Sequence, residues 1–530
     1  MFRFEYILGR IFTLAGPRSA QLAWARRLIA SGLHQPALRL LVRAAKAGLP
    51  AASHDLGCAY LYGRGVPACL TEASVWLNQA AEAGDPSAQS LLARLALQGI
   101  NLAAPTGLFI SAVPAQPAPD YPLALHWAER AARGGSAEGQ ALLAFIRTAG
   151  PEEMRDAQEG ERFYQAAAEA GNANGELGWA TALLHHGTLE TANQARVLLQ
   201  SAANAGLPTA HYLLGAIAES GMADEPDFVA SAEHYRDAAE QGHTTAQFRF
   251  GMSLLTGRGI QQDHFEAESW LRRAALGGER TAAAVLGDLY TSPAGLPPNY
   301  VEAAAWFRRA AEAGHAGSAR ALARLMLRGD GVPADPEEGV HWLREAIAHG
   351  DADARADLAG LALARSVPEP DQQATFAWFK ERAEGGDAAA ACNLGICLAE
   401  GIGTPRDDGA ALAMFRRAGD SVPQAQYWCG RMLAEGRGVA PDPAAARACF
   451  LRAAEHHNAD AEVAAGEMLI NGRGGPPDRA QAMALFEHAA ATGHPAALYA
   501  LKVLQRLVAG DSDEPGAQAA SGSSRTVSSA

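Results

Sequence analysis

The sequence predicts an all-α protein built from helical hairpins that repeat about every 36 residues. The main observation is that Trp270, Trp306, Trp342 and Trp378 follow one another at intervals of 36 residues, each with a glycine eight residues later. The second observation is size, because 530 residues exceed what one compact core usually serves. Hydrophobic residues make up 48% of the chain, so several domains or a repeat array are expected.

The first helix of each repeat is marked by a Leu-Gly-like pair. Alanine usually stands four residues before the leucine position, so these residues share one helix face and predict its buried stripe. A glycine inside a helix costs about 1 kcal/mol relative to alanine. Its recurrence therefore indicates that two helices approach too closely there for a β-carbon. The pairs are Leu56-Gly57, Leu177-Gly178, Leu214-Gly215, Phe250-Gly251, Leu286-Gly287 and Leu394-Gly395.

The second helix carries the tryptophan and then an Ala-Ala pair, as in "WFRRAAEAG" from Trp306 to Gly314. A buried aromatic ring fills the space between hairpins, and the alanines let the next helix come close. The closing glycine suits the left-handed position that ends a helix. We therefore interpret the tryptophans as core residues and not as a ligand box.

Gly-x-Gly stretches such as "GRGV" at Gly63 and Gly436 separate the first helix from the second. A phosphate-binding loop would follow a β-strand and open a helix, usually with Lys-Ser/Thr or a third glycine. The sequence has none of these features around the Gly-x-Gly stretches. We predict that these glycines turn the hairpin and bind no nucleotide.

These motifs together resemble the Sel-one-like repeat (SLR) family, a relative of the tetratricopeptide repeat. The resemblance is carried by Ala-x-x-x-Leu-Gly, Gly-x-Gly-Val and Ala-x-x-Trp-x-x-x-Ala-Ala-x-x-Gly at a period of 36 residues. It covers about residues 49–493 and implies a right-handed α/α superhelical solenoid of about twelve helix-hairpin repeats. It also implies an adaptor or scaffold without enzymatic activity.

Five segments complete the predicted organisation. Residues 1–18 form an amphipathic segment that is a cap on the first repeat, a partner-docking helix or an interfacial membrane anchor. Residues 19–48 form a degenerate capping hairpin, and residues 494–510 form a C-terminal capping helix. An insertion near 100–120 is either a tolerated surface loop or a partner contact. The small, polar tail at 511–530 should be disordered.

Composition argues against several classes of protein. The net charge of −14 disfavours a nucleic-acid binder, because contacts to phosphate supply most of that affinity. No apolar run approaches the roughly 20 residues of a membrane span, although peripheral contact through residues 1–18 stays open. The six cysteines show no CxxC motif and suggest free thiols in a reducing compartment. We expect a cytoplasmic protein, with a membrane-associated or exported one as the alternative.

Motifs for chemistry are not found in the sequence. It contains no HExxH and no GxSxG, so we expect no catalytic residues, cofactor or metal, and no enzyme. His185-His186 and His456-His457 are the densest histidine sites. Adjacent residues on a helix point about 100° apart, so neither pair predicts a chelate.

The resemblance further implies that first-helix positions two before and two or five after the leucine position line a concave surface. Trp179 and Tyr427 would be binding hot spots there, since interface hot spots are enriched in aromatic residues. Arg320 and Arg324, one turn apart, would form a carboxylate clamp. The residues carried over are His54, Trp179, Tyr212, Glu219, Asp288, Arg320, Arg324, Tyr427 and Arg431.

The leading functional hypothesis is a non-enzymatic protein–protein interaction scaffold or adaptor. It would bind a protein or peptide of unknown identity on the concave surface. We expect a monomer, since one chain already forms a continuous array with caps. The alternative is a regulatory or assembly subunit of envelope, polysaccharide or signalling machinery, tethered near a membrane by residues 1–18.

Overall fold

The computed structural model describes residues 17–100, 118–292 and 297–509. The chain divides into two compact units, Met1–Pro298 and Asn299–Ala530, which are taken one at a time below. Within the described ranges the regular structure is helical and contains no β-strand, which confirms the predicted all-α class. Most of the predicted amphipathic segment, most of the predicted insertion and the predicted tail lie outside the described residues.

The described part of the first unit contains fifteen α-helices and one short 3-10 turn, Glu152–Met154. The helices are α1 (Arg18–Ala30), α2 (His34–Lys46), α3 (Pro50–Tyr62), α4 (Leu70–Glu82), α5 (Pro86–Leu97), α6 (Tyr121–Arg133), α7 (Ala137–Ala149), α8 (Ala157–Glu169), α9 (Ala173–His186), α10 (Leu189–Asn204), α11 (Pro208–Ser220), α12 (Phe228–Glu240), α13 (Thr244–Thr256), α14 (His264–Leu276) and α15 (Arg280–Thr291).

The described part of the second unit contains twelve α-helices and a 3-10 turn, Gly419–Ser421. The helices are α16 (Tyr300–Glu312), α17 (Ala316–Arg328), α18 (Pro336–Ala348), α19 (Ala352–Leu363), α20 (Glu369–Glu384), α21 (Ala388–Glu400), α22 (Asp408–Ala418), α23 (Pro423–Glu435), α24 (Pro443–Glu455), α25 (Ala459–Ile470), α26 (Arg479–Ala491) and α27 (Pro495–Ala509).

First and second helices of the repeat alternate along the chain. From α3 to α26 there are twenty-four described helices, which agrees with the predicted count of about twelve repeats. Odd-numbered helices carry the leucine position, and even-numbered helices carry the tryptophan position. These are called the first helices and the second helices below.

In most of these pairs the glycine inside the first helix is explained by the second helix of the same hairpin, whereas Gly178 meets Tyr164 on the preceding helix, α8. A β-carbon on Gly215 would lie 2.7 Å from Cδ1 of the Tyr235 ring. A β-carbon on Gly395 would lie 2.7 Å from Cε1 of Phe415. Both rings are almost fully buried, at 2% and 1% exposure. The predicted close approach is confirmed, and the group that approaches is the side chain after the tryptophan position.

The Gly-x-Gly stretches turn the chain as predicted, and the two glycines have different structural roles. The first glycine ends the first helix in the left-handed conformation, with φ 72° at Gly436. The second glycine packs against the preceding second helix. A β-carbon on Gly438 would lie only 2.5 Å from the carbonyl oxygen of Asp408, the first residue of α22. The sequence did not predict this contact between neighbouring repeats.

Three of the four tryptophans at the 36-residue spacing are core residues, as predicted, and Trp378 is half-buried against the core cluster of the second unit. Trp270, Trp306 and Trp342 are 9%, 7% and 9% exposed. Each indole N–H donates a hydrogen bond to the glutamate four residues earlier, at 3.2 to 3.3 Å. The ring is therefore buried while its one polar group is satisfied within the same helix.

Candidate functional site

All nine residues predicted for partner binding lie on first helices. In the first unit these are His54 on α3, Trp179 on α9, Tyr212 and Glu219 on α11, and Asp288 on α15. In the second unit they are Arg320 and Arg324 on α17, and Tyr427 and Arg431 on α23. Their assignment to partner binding stays a prediction, and their local contacts differ from residue to residue.

His54 belongs to a small polar network. Its Nδ1 lies 3.2 Å from Asp55 Oδ1, and its Nε2 lies 3.5 Å from Cys58 Sγ. Asp55 also accepts a hydrogen bond of 2.7 Å from Arg26 on α1. Burial alone would lower the pKa of His54, but its hydrogen bonds outweigh burial and raise the pKa to about 10. This network joins α3 to the predicted capping hairpin.

The two predicted aromatic hot spots are partly buried and contribute to packing. Trp179 packs against the core cluster around Leu199 and Leu214. It stands eight residues after Gly171, the spacing that in the next repeat separates buried Leu214 from Gly206. Tyr427 is likewise half-buried against the cluster of the second unit, with its ring 5.9 Å from that of Phe450.

Tyr212, Glu219 and Arg431 are also engaged with other side chains. Tyr212 stacks on His243 with ring centroids 4.8 Å apart. Glu219 accepts a hydrogen bond of 2.7 Å from the Tyr235 hydroxyl, and Arg431 lies 4.6 Å from the centroid of the ring of Trp428. Asp288 is exposed on α15.

Arg320 and Arg324 form a carboxylate clamp, but the carboxylate belongs to this chain. Arg320 Nε and Arg324 Nε lie 2.8 and 3.0 Å from Oδ2 of Asp357 on α19. Arg320 also donates to Asp353 at 2.6 Å. These contacts therefore join two consecutive first helices of this chain. A carboxylate from a partner would have to compete with Asp357.

Asp357→Asn is expected to lower the free energy of unfolding by about 1 kcal/mol at neutral pH. Partial burial alone would raise the pKa of Asp357, but hydrogen bonds from Arg324 and Arg320 outweigh it and lower the pKa. The clamp therefore stabilises the fold above the unfolded-state pKa of about 3.9. This contribution is lost as the pH falls through the lower folded-state pKa.

Urea unfolding of Asp357→Asn and the wild-type chain, from neutral pH down to about pH 3, measures this pH dependence. Asp353→Asn is the control, because Asp353 is 73% exposed and contacts Arg320 alone in the clamp. Asp353→Asn should lower the free energy of unfolding by less than Asp357→Asn does. A difference between Asp357→Asn and wild type that stayed constant across this pH range would contradict the ion-pair explanation.

A concave feature lies elsewhere on the described first helices, in the first unit. A groove of about 670 Å³ runs across α5, α7, α9 and α11, with the second helix α8 closing one side. We call this the first-helix groove and define it by Arg94, Glu138, Phe145, Tyr164, Thr181 and His185. None of the nine predicted residues lines it.

The first-helix groove combines an apolar floor with a charged end. Leu142 and Leu177 contribute to the floor. Phe145 is 41% exposed, which is unusual for a phenylalanine on a first helix of this chain. Arg94 and Glu138 form an ion pair of 3.0 Å at one end. The arrangement can bind an apolar side chain and orient a polar group beside it.

Tyr164 and Thr181 fix the walls of the first-helix groove. A β-carbon on Gly178 would overlap the ring of Tyr164, so the glycine lets this ring lie against α9. Burial raises the pKa of Tyr164, which keeps its hydroxyl neutral. Thr181 Oγ1 donates to the carbonyl oxygen of Leu177 at 2.8 Å. The hydroxyl of Thr181 is therefore satisfied within its own helix.

Sequence reasoning missed Phe145 because its repeat has no Leu-Gly pair. The glycine phase was available as a signal, since Leu143 stands eight residues after Gly135. Phe145 is then two residues after the leucine position, which is one of the positions that the resemblance places on the concave surface. The same count puts Trp179 at the leucine position of its repeat and Thr181 two residues after it, whereas the Leu177-Gly178 pair had placed Trp179 two residues after that position.

The described residues offer two groups that could hold a metal ion. His211, His234 and Asp237 meet in the first unit, and His457, Glu462 and His488 meet in the second. In each group the candidate ligand atoms lie within 4.8 Å of one another.

The cysteines are free thiols, and burial raises the pKa of Cys392 and Cys397 to about 12. These two thiols are therefore poor nucleophiles and poor metal ligands.

Helix hairpins repeated along a chain, with grooves between first helices, define an α/α solenoid of the tetratricopeptide type. The sequence profile of the Sel1 repeat matches ten stretches that together cover more than half of the chain, and the chain belongs to this family. Solenoids of this family generally mediate protein–protein interactions and are generally non-enzymatic. The matched residues are 50–85, 115–136, 137–172, 208–243, 244–279, 281–315, 316–351, 388–421, 423–458 and 459–494.

Similar proteins are known from several bacteria. A protective antigen of uropathogenic Escherichia coli with an SLR fold is 25% identical, with a TM-score of 0.55 over 92% of this chain and 99% of that one. A Sel1 repeat protein from Oxalobacter formigenes is 24% identical, with a TM-score of 0.32 over 68% and 94% of the two chains. An uncharacterized protein of Neisseria meningitidis serogroup B is 29% identical over 161 residues. That match covers 24% of this chain and 31% of the relative.

Among the residues that the structure describes, no helix combines the length and the apolar character that a membrane span requires.

Proposed function

We propose that the chain is a non-enzymatic adaptor that binds a protein or peptide partner in the first-helix groove. The observation that carries this proposal is the groove itself, which combines about 670 Å³ of space with a half-exposed aromatic ring. Family membership supports the adaptor class, and the groove supports this particular location.

The partner segment should insert an apolar side chain between Phe145 and Tyr164. Removing such a side chain from water supplies affinity, and a preformed groove needs little reorganisation to receive it. A polar or charged group next to that side chain would meet the Arg94–Glu138 ion pair at the end of the groove. Because this pair is half-exposed, it would contribute to orientation more than to affinity.

The experiment captures partners from the native cell and then measures the affinity of the purified pair. Phe145→Ala removes the exposed ring, and Thr181→Arg fills the groove with a long charged side chain. Phe265→Ala is the matched control, because this phenylalanine of the same unit is 70% exposed on the second helix α14. Circular dichroism verifies that all three variants keep their helicity.

Phe145→Ala should weaken binding at least tenfold, the effect of losing about 1.4 kcal/mol at one anchor. Thr181→Arg should abolish binding, and Phe265→Ala should leave it unchanged. A partner that binds all three variants equally would refute the groove as the binding site. The same measurement on Trp179→Ala and Tyr427→Ala tests the two aromatic positions that the family resemblance favours.

A second candidate is a regulatory or assembly subunit near the cell envelope. It is supported by the amphipathic pattern of residues 1–18 and by the similarity to a chain described as a protective antigen. Cell fractionation with and without residues 1–18 separates the candidates. A chain that stays in the cytoplasm in both forms favours the cytoplasmic adaptor, and loss of membrane association on deletion favours the tethered subunit.

A further inference from the structure

Three side chains from different elements meet near the end of the second unit. Glu462 lies on α25, His488 lies in the last turn of α26, and His457 lies in the turn between α24 and α25. His488 Nδ1 is 2.7 Å from Glu462 Oε1, and His457 Nδ1 is 4.0 Å from the same oxygen. The two imidazole rings face each other with centroids 4.6 Å apart.

The carboxylate of Glu462, at the centre of this cluster, is buried, and only one of its two oxygens has a hydrogen-bond partner among the described residues. Glu462 is 2% exposed, although it lies on a helix of a solenoid with ample surface. Its Oε2 has no hydrogen-bond partner among the described residues. A buried carboxylate oxygen without a partner is costly, so the position favours a cation that both oxygens can approach.

The backbone holds His457 over the carboxylate in a conformation that histidine rarely adopts. Its φ is 59°, and only one other non-glycine residue in the described chain has a positive φ. Glycine takes the comparable position in most other repeats, as at Gly314, Gly350 and Gly493. Strain of this kind is concentrated at functional sites, where the side chain is needed in that place.

We propose that His457, Glu462 and His488 bind a divalent transition-metal ion of the Zn²⁺ type. Imidazole and carboxylate ligands suit Zn²⁺, with metal–ligand distances of about 2.0 to 2.2 Å. Tetrahedral coordination at these distances places ligand atoms about 3.4 Å apart. The distances of 2.7 and 4.0 Å from Glu462 Oε1 to the two histidines bracket this value. Because the rings are stacked and each nitrogen lone pair lies in its ring plane, binding requires one imidazole, the more exposed His457, to rotate toward the ion.

Access to the ion and its fourth ligand follow from the burial pattern. The side chains of His457 and His488 are 74% and 47% exposed, while that of Glu462 is 2% exposed. An ion can therefore reach the cluster from the solvent-exposed histidines. Three protein ligands leave a fourth position for water or for a side chain of a bound protein.

The other histidine cluster is a weaker candidate for the same ion. His211 Nδ1 and Asp237 Oδ2 lie 3.8 Å apart, and Asp237 is 40% exposed. Solvent can therefore reach the carboxylate of Asp237, whereas Glu462 is 2% exposed. A variant in each cluster therefore distinguishes the two sites within one experiment.

Isothermal titration of the full chain with ZnCl₂ in a chelator-free buffer tests the proposal. The wild-type chain should bind one Zn²⁺, and His488→Ala and Glu462→Gln should each weaken binding at least tenfold. His456→Ala is the matched control, since this neighbouring histidine is outside the cluster, and it should bind as the wild type does. His234→Ala, in the other cluster, should also leave binding unchanged.

Two further measurements keep the result interpretable. His457→Gly removes one ligand and the backbone strain together, so it should lose Zn²⁺ while staying folded by circular dichroism. Co²⁺ in place of Zn²⁺ should give the visible absorption of a tetrahedral site in the wild type and not in His488→Ala. Absence of stoichiometric Zn²⁺ binding, or binding retained in both His488→Ala and Glu462→Gln, would overturn the proposal. Loss of binding in His234→Ala alone would overturn it in favour of the first-unit cluster.

Discussion

Phe415→Ala is expected to destabilise the second unit by about 3–5 kcal/mol, the range found for removing a buried phenylalanine. Phe415 is 1% exposed, and its ring stacks on Trp428 with centroids 5.7 Å apart. Its other face covers Gly395 of α21, where a β-carbon would come within 2.7 Å of the ring. Because Gly395 has no side chain that could fill the space, the cavity should collapse poorly.

Local stability is the quantity to measure for this variant, because repeat arrays can unfold in parts. Amide hydrogen exchange of α21 to α23 gives the free energy of opening for this region, and urea unfolding gives the loss for the whole chain. Phe265→Ala, which removes a ring that is 70% exposed, is the control and should change stability by less than about 0.5 kcal/mol. A cost below about 1 kcal/mol for Phe415→Ala would contradict the proposed fit of ring and glycine.

The part of the fold that the sequence predicted is the part encoded within one repeat. Leu394-Gly395 and the spacing of the tryptophans indicate helices, their order and a close approach, because period and propensity are local properties. The same pattern did not identify Phe415 as the group that fills the space over Gly395. That contact joins residues 20 positions apart, and only the packed hairpin shows which face of the second helix it uses.

The candidate sites were less predictable, since they depend on contacts between repeats. Arg320 and Arg324 were assigned to the carboxylate of a partner, whereas Asp357, which they hold in the structure, lies 33 residues or more away in this chain. His457 was considered only together with His456, because one sequence gives no sign that His488 lies beside it. Phe145 was missed for a different reason, since its repeat lacks the motif from which the positions were counted.

Gly438→Ala is expected to destabilise the second unit by about 2–5 kcal/mol, through two separate effects. Gly438 has φ 68°, and a left-handed conformation costs an alanine about 1–2 kcal/mol. The added methyl group would also lie 2.5 Å from the Asp408 carbonyl oxygen and 2.9 Å from the Gly409 backbone nitrogen. Backbone atoms of α22 cannot rotate away as a side chain would, so neighbouring repeats would have to separate.

Gly493→Ala isolates the cost of the left-handed backbone conformation, because Gly493 has φ 82° and no atom lies within 4 Å of its added β-carbon. It should cost only about 1–2 kcal/mol. The difference between the two variants in urea unfolding measures the contact between the Gly-x-Gly turn and the preceding second helix. Equal losses would mean that the second glycine serves the turn alone. A larger loss for Gly438→Ala would mean that Gly-x-Gly also sets how closely successive hairpins stack, and so contributes to the shape of the surface that the first helices form.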